Sequence, residues 1–240
     1  MSLRERIANS VLRGLIRLVY RISVADLYRL PMTGPGILLS NHTSNVEGPL
    51  YYVFMAPRQA TALGKVELWD NILTRFLMNT WDVIPVRRGR LDRPALERAR
   101  AALANGAFLG IAPEGTRSKT GKLQRGHPGA ALLASEADVP VFPVVTWGLR
   151  EPQKSWARLR RPRAELRMGP AFRVRIPATD GQPRSADIRA ATQEMMAQLA
   201  SLLPPELRGA YADTEPTWDY IVPERSAVRA GYSEESPSRA

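Results

Sequence analysis

Short apolar runs alternate with helix-like patterns along most of the chain, and this alternation restricts the possible folds more than any other feature. Apolar runs predict strands, which fall at 37–40, 61–64, 83–86, 108–112, 141–145, 164–168 and 172–176. Apolar spacing with capping or stop residues predicts helices at 47–55, 68–80, 92–106, 129–136 and 187–203. Strands that alternate with helices are typical of α/β domains. The predicted fold class is therefore α/β, with a central, mostly parallel or mixed sheet flanked by helices.

The 240 residues divide into three expected segments. Residues 1–30 form a helical N-terminal segment, and residues 31–211 form the α/β domain, which is long enough to bury one core. Residues 212–240 are rich in Pro, Ser, Glu and Ala, a composition with few apolar side chains to bury. We expect this last segment to be a poorly ordered tail.

The N-terminal helix predicted from Leu3 to Ile22 is amphipathic. A broad apolar arc contains Leu3, Ile7, Val11, Leu12, Leu15, Ile16, Leu18, Val19 and Ile22, and the opposite arc contains Arg6, Arg13, Arg17 and Arg21. The arginines exclude a bilayer-spanning helix, and they also interrupt the apolar core that a secretory signal requires. Two interpretations remain: the helix packs on its own domain, or it lies in a membrane interface with its arginines at lipid phosphates.

Composition excludes several chemistries and favours an anionic partner. The chain has no Cys and two His, so we expect neither a thiolate nucleophile nor a metal site. No Ser has glycines two residues away on both sides, so no nucleophile elbow for an acyl-enzyme is evident. The formal net charge of +11, with nine Lys or Arg between residues 150 and 175, predicts an anionic partner. This could be a nucleic acid, a phosphorylated substrate, an acidic protein or an anionic lipid surface. Nucleic acid is disfavoured, because no recognised binding module is present.

A histidine and an acid follow the first predicted strand. Residues 41–49 read Asn-His-Thr-Ser-Asn-Val-Glu-Gly-Pro, with small polar residues before an apolar helix. His42 and Glu47 are five residues apart and would not share a face of one regular helix. They can meet if His42 lies in the strand-to-helix turn and Glu47 in the first helical turn. The carboxylate would then fix one imidazole nitrogen and leave the other as a base. A capped helix with an incidental histidine is the alternative.

Three further segments place charged residues after predicted strands. Residues 112–118 read Ala-Pro-Glu-Gly-Thr-Arg-Ser and offer a carboxylate, a glycine turn, a hydroxyl and a guanidinium. Lys65 follows the strand at 61–64, and Arg87 follows the strand at 83–86. Ligands of α/β sheets usually bind at the carboxyl ends of strands, and arginine with nearby backbone N–H groups suits a phosphate monoester.

Taken in order, these segments resemble the lysophosphatidic acid acyltransferases, also called 1-acyl-sn-glycerol-3-phosphate acyltransferases, of the bacterial phosphatidic-acid-forming type. The resemblance runs from about Ile37 to Tyr211 and includes NH-x4-acid, GKxELW, IPVRR, PEGTRS, VPVFPV and LLPPELRGAY. It implies that residues 31–211 are an acyltransferase domain with the glycerolipid acyltransferase fold. It also implies an O-acyltransferase of phospholipid biosynthesis, which moves a fatty acyl chain from acyl-CoA or acyl-carrier protein to the free hydroxyl of lysophosphatidic acid and gives phosphatidic acid.

The resemblance also assigns roles to individual residues. It implies that His42 is the catalytic base and that Glu47 orients it. It implies that the acceptor phosphate is held by Lys65 and Arg117, with Arg87, Glu114, Gly115 and Thr116 lining the same pocket. Transfer in the family is direct, without a covalent enzyme intermediate, and needs no metal or other cofactor besides the acyl donor.

The substrates implied by the resemblance favour a membrane location. A lysophospholipid lies in a membrane whereas the acyl donor is soluble, so the enzyme is expected on the bilayer surface. This favours the interfacial interpretation of residues 1–30 and predicts peripheral, monotopic attachment to the cytoplasmic face of the cell membrane, on an anionic phospholipid surface.

Three departures from the family pattern leave alternatives open. Glu47 stands where the family usually has Asp, Ile111-Ala112 replaces an aromatic residue, and His127 stands where a basic residue often precedes Gly129. His127 could contact an anion or be an ordinary loop histidine. The chain could also be an acyltransferase of the same fold for another lysophospholipid or a glycolipid, or a non-catalytic membrane-binding homologue.

Overall fold

The structure, a computed structural model, describes residues 2–87, 92–150, 152, 157, 160–179 and 181–224. Helices α1 to α6 span Leu3–Val19, Glu47–Met55, Ile72–Thr80, Arg93–Ala104, Gly129–Ala137 and Ser185–Leu202. Strands β1 to β10 span Gly36–Ser40, Ala60–Lys65, Ile84–Val86, Phe108–Ile111, Val141–Trp147, Glu165–Met168, Phe172–Val174, Ala178–Thr179, Gln182–Pro183 and Ile221–Pro223. Part of the basic stretch, part of the IPVRR segment and residues 225–240 of the expected tail lie outside the described residues.

Eight of these strands form one mixed sheet in the order β10-β7-β5-β1-β4-β2-β3, with β6 also paired to β5. Strands β1 to β5 pair in parallel, and β6, β7 and β10 join antiparallel. The strands β8 and β9 form a small separate hairpin. The predicted α/β class with a mixed central sheet flanked by helices is confirmed, and each predicted strand is present with its ends displaced by no more than two residues.

The central strands are buried on both faces, which explains their continuous apolar runs. In β1, Ile37 and Leu39 face one core cluster and Leu38 faces the other, because successive side chains of a strand point to opposite sides. Helices α4, α5 and α6 cover the first side, and α1, α2 and the 3-10 helix Ala25–Arg29 cover the second. The helices therefore hold the sheet from both sides and leave its edges for loops.

The helix predicted at 68–80 is interrupted. A 3-10 helix, Val66–Trp69, comes first, and α3 begins only at Ile72. The reason is Asn71, whose side-chain oxygen accepts hydrogen bonds from Leu73 N at 2.9 Å and Thr74 N at 3.2 Å. An asparagine N-cap of this kind starts a new helix instead of continuing an old one.

The N-terminal helix α1 ends at Val19, three residues earlier than predicted, and its apolar arc is divided between two faces. Leu12, Ile16 and Val19 pack into the second core cluster. Ile7 lies on the opposite side of the helix from Ile16. The two are nine residues apart, and at 100° per residue this separation is about two and a half turns. The outward row consists of Leu3, Ile7, Val11, Leu15 and Leu18, which are 49% to 71% exposed. We call these five residues the apolar row.

Two arginines of α1 contact the protein, contrary to the expectation that they meet lipid phosphates. The Arg13 guanidinium donates to Val53 O and, at 3.2 Å, to Ala56 O at the end of α2. The Arg17 guanidinium lies 5.3 Å from the centre of the Phe54 ring. A cation favours the carbonyl end of a helix, so these arginines fix α1 against α2.

The expected tail is not wholly without structure. Its residues 221–223 form β10, which pairs antiparallel with β7. Buried Glu194 of α6 accepts hydrogen bonds from Asp219 N at 2.6 Å and Tyr220 N at 2.7 Å, just before this strand. The prediction of a poorly ordered tail from residue 212 is therefore wrong for this part of it.

Candidate active site

The parallel strands bring four predicted site segments to one edge of the sheet. His42 lies in the loop after β1, Lys65 is the last residue of β2, and Glu114 lies in the loop after β4. Lys65 pairs in register with Val86, the residue before Arg87. Because β1 to β4 run parallel, their carboxyl ends meet at the same edge, as the sequence predicted.

His42 and Glu47 form a hydrogen-bonded pair. His42 Nδ1 lies 2.7 Å from Glu47 Oε2. An ionised carboxylate can only accept, so Nδ1 carries the proton and Nε2 is left as the unprotonated nitrogen of the neutral ring. The His42 side chain is 22% exposed whereas that of Glu47 is 2% exposed, and no hydrogen bond to Nε2 is formed by the described residues. The imidazole therefore reaches the surface while its carboxylate partner is buried.

The Glu47 carboxylate is held by the turn that precedes α2. Thr43 donates to Glu47 Oε1 from its backbone N at 2.8 Å and from its hydroxyl at 2.6 Å, and Ser44 N donates at 3.1 Å. These charge-assisted bonds offset the cost of burying the carboxylate. The Ser44 hydroxyl accepts from Val46 N at 3.2 Å, so the turn is closed by bonds between near neighbours in the chain. The carboxylate therefore reaches back over the turn towards Thr43 and Ser44.

Glu114, which was expected to line a phosphate pocket, is buried and accepts hydrogen bonds from backbone N–H groups. Its Oε1 accepts from His42 N at 2.6 Å, and its Oε2 accepts from Gln124 N at 2.9 Å. The side chain is buried, and Ser118 N donates to His42 O at 2.7 Å from the same loop. Glu114 therefore ties the loop after β4 to the backbone of His42, which makes it a positioning residue.

Burial raises the pKa of Glu114, although hydrogen bonds from Gln124 and His42 oppose the rise and the negative charge of Glu47 adds to it. Because the pKa of this carboxyl is higher in the folded protein than its unfolded value of 4.5, its protonation stabilises the fold. This stabilisation is complete below pH 4.5 and is lost as the pH rises through the folded-state pKa. In Glu114→Gln this contribution is absent. We expect the free energy of unfolding of the wild type, relative to this variant, to increase as the pH falls from neutrality towards 4.5.

Urea unfolding of both proteins over that pH range measures this difference. Glu97→Gln is the control for loss of a glutamate, because Glu97 on α4 is exposed and forms no hydrogen bond or ion pair with the other described residues. A difference between wild type and Glu114→Gln that stays constant with pH would contradict the assignment.

The remaining predicted cations follow strands of the same parallel set, at the carboxyl edge of the sheet. The side chains of Lys65, Arg87 and Arg117 form no hydrogen bond or ion pair with other described residues, and Arg87 and Arg117 are exposed. Gly115 has φ of +66°, a conformation that favours glycine, and the exposed Thr116 follows it. The structure thus places these residues on one edge of the sheet.

Two functional residues that sequence reasoning missed join β1 to β5. Asn41 Nδ2 donates to Thr146 O at 2.8 Å, and Thr146 N donates to Asn41 Oδ1 at 2.9 Å. Both residues are buried, and the Thr146 hydroxyl lies 3.5 Å from Glu47 Oε1. This pair fixes the end of β1 immediately before His42. It joins positions 105 residues apart, so no local pattern could have revealed it.

A tyrosine hydroxyl lies behind the pair. Tyr51 OH is 2.7 Å from the Ser40 hydroxyl, and burial raises the pKa of Tyr51 while the charge of Glu47 raises it further. Tyr51 therefore remains neutral. Within the described ranges, no group of three or more His, Asp or Glu side chains is placed to hold a metal ion.

Fold and site together define an α/β protein with a histidine–glutamate pair at the carboxyl edge of its sheet and cationic side chains beside it. A family model described as Acyltransferase matches residues 21–147, more than half of the chain. The chain belongs to this acyltransferase family. The match covers β1 to β5 and therefore includes the His42–Glu47 pair and Glu114.

Several curated proteins resemble this chain over about half of its length. The 1-acyl-sn-glycerol-3-phosphate acyltransferase LPAT1 of Arabidopsis thaliana chloroplasts is 29% identical over 132 residues, which are 54% of this chain and 36% of that protein. A probable 1-acyl-sn-glycerol-3-phosphate acyltransferase of Mycoplasma genitalium is 29% identical over 52% of this chain and 49% of its own length. The alpha form from Mus musculus is 29% identical over 52% and 45%. The match to this chain thus spans less than half the length of each.

A solved structure shares the fold. The crystal structure of PlsC, the 1-acyl-sn-glycerophosphate (LPA) acyltransferase of Thermotoga maritima, superposes with a TM-score of 0.59 at 20% sequence identity. The match covers 85% of this chain and 80% of that one. This likeness supports the described arrangement of sheet and helices.

Proposed function

We propose that the protein transfers a fatty acyl chain from acyl-CoA or acyl-carrier protein to the free hydroxyl of lysophosphatidic acid, giving phosphatidic acid. The observation that carries this proposal is the 2.7 Å hydrogen bond between His42 Nδ1 and Glu47 Oε2, which leaves Nε2 as a base at the edge of the sheet. Membership of the acyltransferase family and the names of its relatives indicate the substrates.

The proposed reaction is a single displacement. His42 Nε2 takes the proton of the acceptor hydroxyl as the oxygen attacks the thioester carbon. The C–O ester bond forms, the C–S bond breaks, and the imidazolium returns its proton to the thiolate that leaves. Glu47 stabilises the imidazolium between these steps, and Glu114 holds the backbone of His42 in place.

The acceptor phosphate is proposed to lie against the cations at the same edge. Arg117 and Lys65 supply the charge, with Arg87, Gly115 and Thr116 beside them. The side chains of Lys65, Arg87 and Arg117 have no hydrogen-bond or ion-pair partner among the described residues. Binding an anion would therefore not require breaking an existing ion pair.

An acyl-transfer assay tests the function. Purified protein is incubated with acyl-CoA or acyl-carrier protein and a panel of lysolipids, and diacyl product and free thiol are measured. We expect phosphatidic acid to form from lysophosphatidic acid.

Replacing Arg117 with alanine should raise the KM for this acceptor by about tenfold or more, because a charged hydrogen bond to its phosphate is lost. Arg98→Ala, a similarly exposed arginine on α4, is the control. Product from another lysolipid only, or from none, would overturn the assignment.

The protein is also proposed to bind an anionic phospholipid surface through the apolar row of α1. Among the described residues, no helix has the length and hydropathy to cross a bilayer. The neighbouring α3 exposes Ile72, Leu73 and Phe76, by 47% to 82%, and a groove of about 700 Å³ between the two helices is lined by Leu3 and Phe76. Monomeric proteins seldom expose so many large apolar side chains together, and a lipid surface would cover them.

Replacing one apolar-row residue should weaken binding to vesicles of phosphatidylethanolamine and phosphatidylglycerol. We expect Val11→Ser to lower the partition coefficient by about tenfold, because the side chain would no longer be removed from water. Co-sedimentation with vesicles measures it. Val222→Ser on β10 is the matched control, since Val222 is 50% exposed and Val11 is 55% exposed. Equal losses in the two variants would contradict an interface formed by α1.

A further inference from the structure

The second histidine of the chain lies against the turn that contains Gly115. His127 N donates to Pro113 O at 2.8 Å. The imidazole covers Gly115 so closely that a Cβ on that residue would lie 2.8 Å from His127 Cδ2 and 3.1 Å from His127 Nε2. Only glycine permits this approach, so ring and turn form one surface.

The backbone around His127 is fixed although the ring is exposed. Gln124 N donates to Glu114 Oε2 at 2.9 Å, and Gly126 N donates to Tyr211 OH at 3.1 Å. The ring itself forms no hydrogen bond with the described residues, and the residue is exposed. The imidazole is therefore held in position by its backbone, with its polar atoms available to a ligand.

The charges around His127 favour an anion. Arg117, Lys122 and Arg125 lie in the same loop as His127, between β4 and α5, and Glu114 is buried with its oxygens already bonded to backbone N–H groups. No exposed carboxylate separates the ring from Thr116 and Arg117 along the chain. An imidazole can donate to a phosphate oxygen whether neutral or protonated, and more strongly when protonated.

We propose that His127 contacts a phosphate group of the bound substrate and acts with Arg117 to set the preference for phosphorylated substrates. This inference rests on the proposed function for the identity of the substrate, but the phosphate contact itself does not. The phosphate belongs either to the acceptor or to the nucleotide part of acyl-CoA, and the experiments separate the two.

Kinetics of two substitutions test the contact. In His127→Gln we expect the KM for one phosphate-bearing substrate to rise by about tenfold, with little change in kcat. His127→Lys should keep the KM near the wild-type value, because the ammonium group restores a donor and a charge. A rise confined to lysophosphatidic acid assigns the contact to the acceptor, and a rise confined to acyl-CoA assigns it to the donor. No rise in either KM, or an equal rise for an uncharged monoacylglycerol, would overturn the proposal.

Magnetic resonance tests the contact without requiring turnover. In His42→Ala the only histidine is His127, so its imidazole signals are unambiguous. We expect a saturable shift of these signals on titration with glycerol 3-phosphate or with coenzyme A, which Arg117→Ala weakens and Arg98→Ala does not. The lack of a saturable shift with both ligands would refute the contact whatever the assay shows. A saturable shift in a protein that transfers no acyl group would refute the proposed function and leave the contact standing.

Discussion

Replacing His42 with alanine is expected to lower kcat by about 10²–10⁴-fold, the usual contribution of a positioned general base. No other described histidine lies at the β1 loop, and Glu47 cannot act as the base because its oxygens already accept bonds from Thr43 and Ser44. KM for the acceptor should change much less, since the proposed phosphate contacts lie on other loops. Initial rates of thiol release, measured over a range of acceptor concentrations, separate kcat from KM.

His42→Ala should remain folded, which makes the result interpretable. The bonds from His42 N to Glu114 and from Ser118 N to His42 O involve the backbone and persist in alanine. Circular dichroism and urea unfolding check the fold. A folded variant that retains the wild-type kcat would remove His42 from the mechanism.

Replacing Glu47 with glutamine is expected to lower kcat by a similar factor, about 10²–10⁴-fold, because it reverses the histidine tautomer. The N–H groups of Thr43 and Ser44 require an oxygen at their end of the side chain, so the amide NH₂ must face His42. It would donate to Nδ1, and the imidazole proton would then lie on Nε2. The ring would no longer be a base towards the acceptor hydroxyl.

The shorter Glu47→Asp gives a graded comparison. Its carboxylate is withdrawn by about 1.5 Å, so it cannot keep both the His42 bond and the bonds to the turn. We expect a fall in kcat of about 10–100-fold, corresponding to one charge-assisted hydrogen bond. Steady-state rates of Glu47→Gln, Glu47→Asp and the surface control Glu97→Gln provide the test. Full activity in Glu47→Gln would show that Glu47 does not set the tautomer.

Local sequence patterns predicted the strands and helices and the part of the site formed by residues 41–49. The apolar runs located the strands because a doubly covered sheet buries every residue of its central strands. The small polar residues before Glu47 predicted a turn in which it could meet His42, since the bonds from Thr43 and Ser44 and the imidazole bond span no more than five residues. The same reasoning failed at α1, because a broad apolar arc does not show which part packs inward and which part remains exposed.

The sequence by itself determined the α/β class and the order of the elements, because both follow from side-chain periodicity. It left the pairing of His42 with Glu47 as one of two interpretations, and the structure shows the hydrogen bond between them. Only the tertiary structure decided that Glu114 binds the backbone of His42, 72 residues away, and that Asn41 binds Thr146. It also decided that Arg13 binds the end of α2. These contacts depend on which strands become neighbours and which helix faces them, and that choice is made by burial of the whole core, which no short segment encodes.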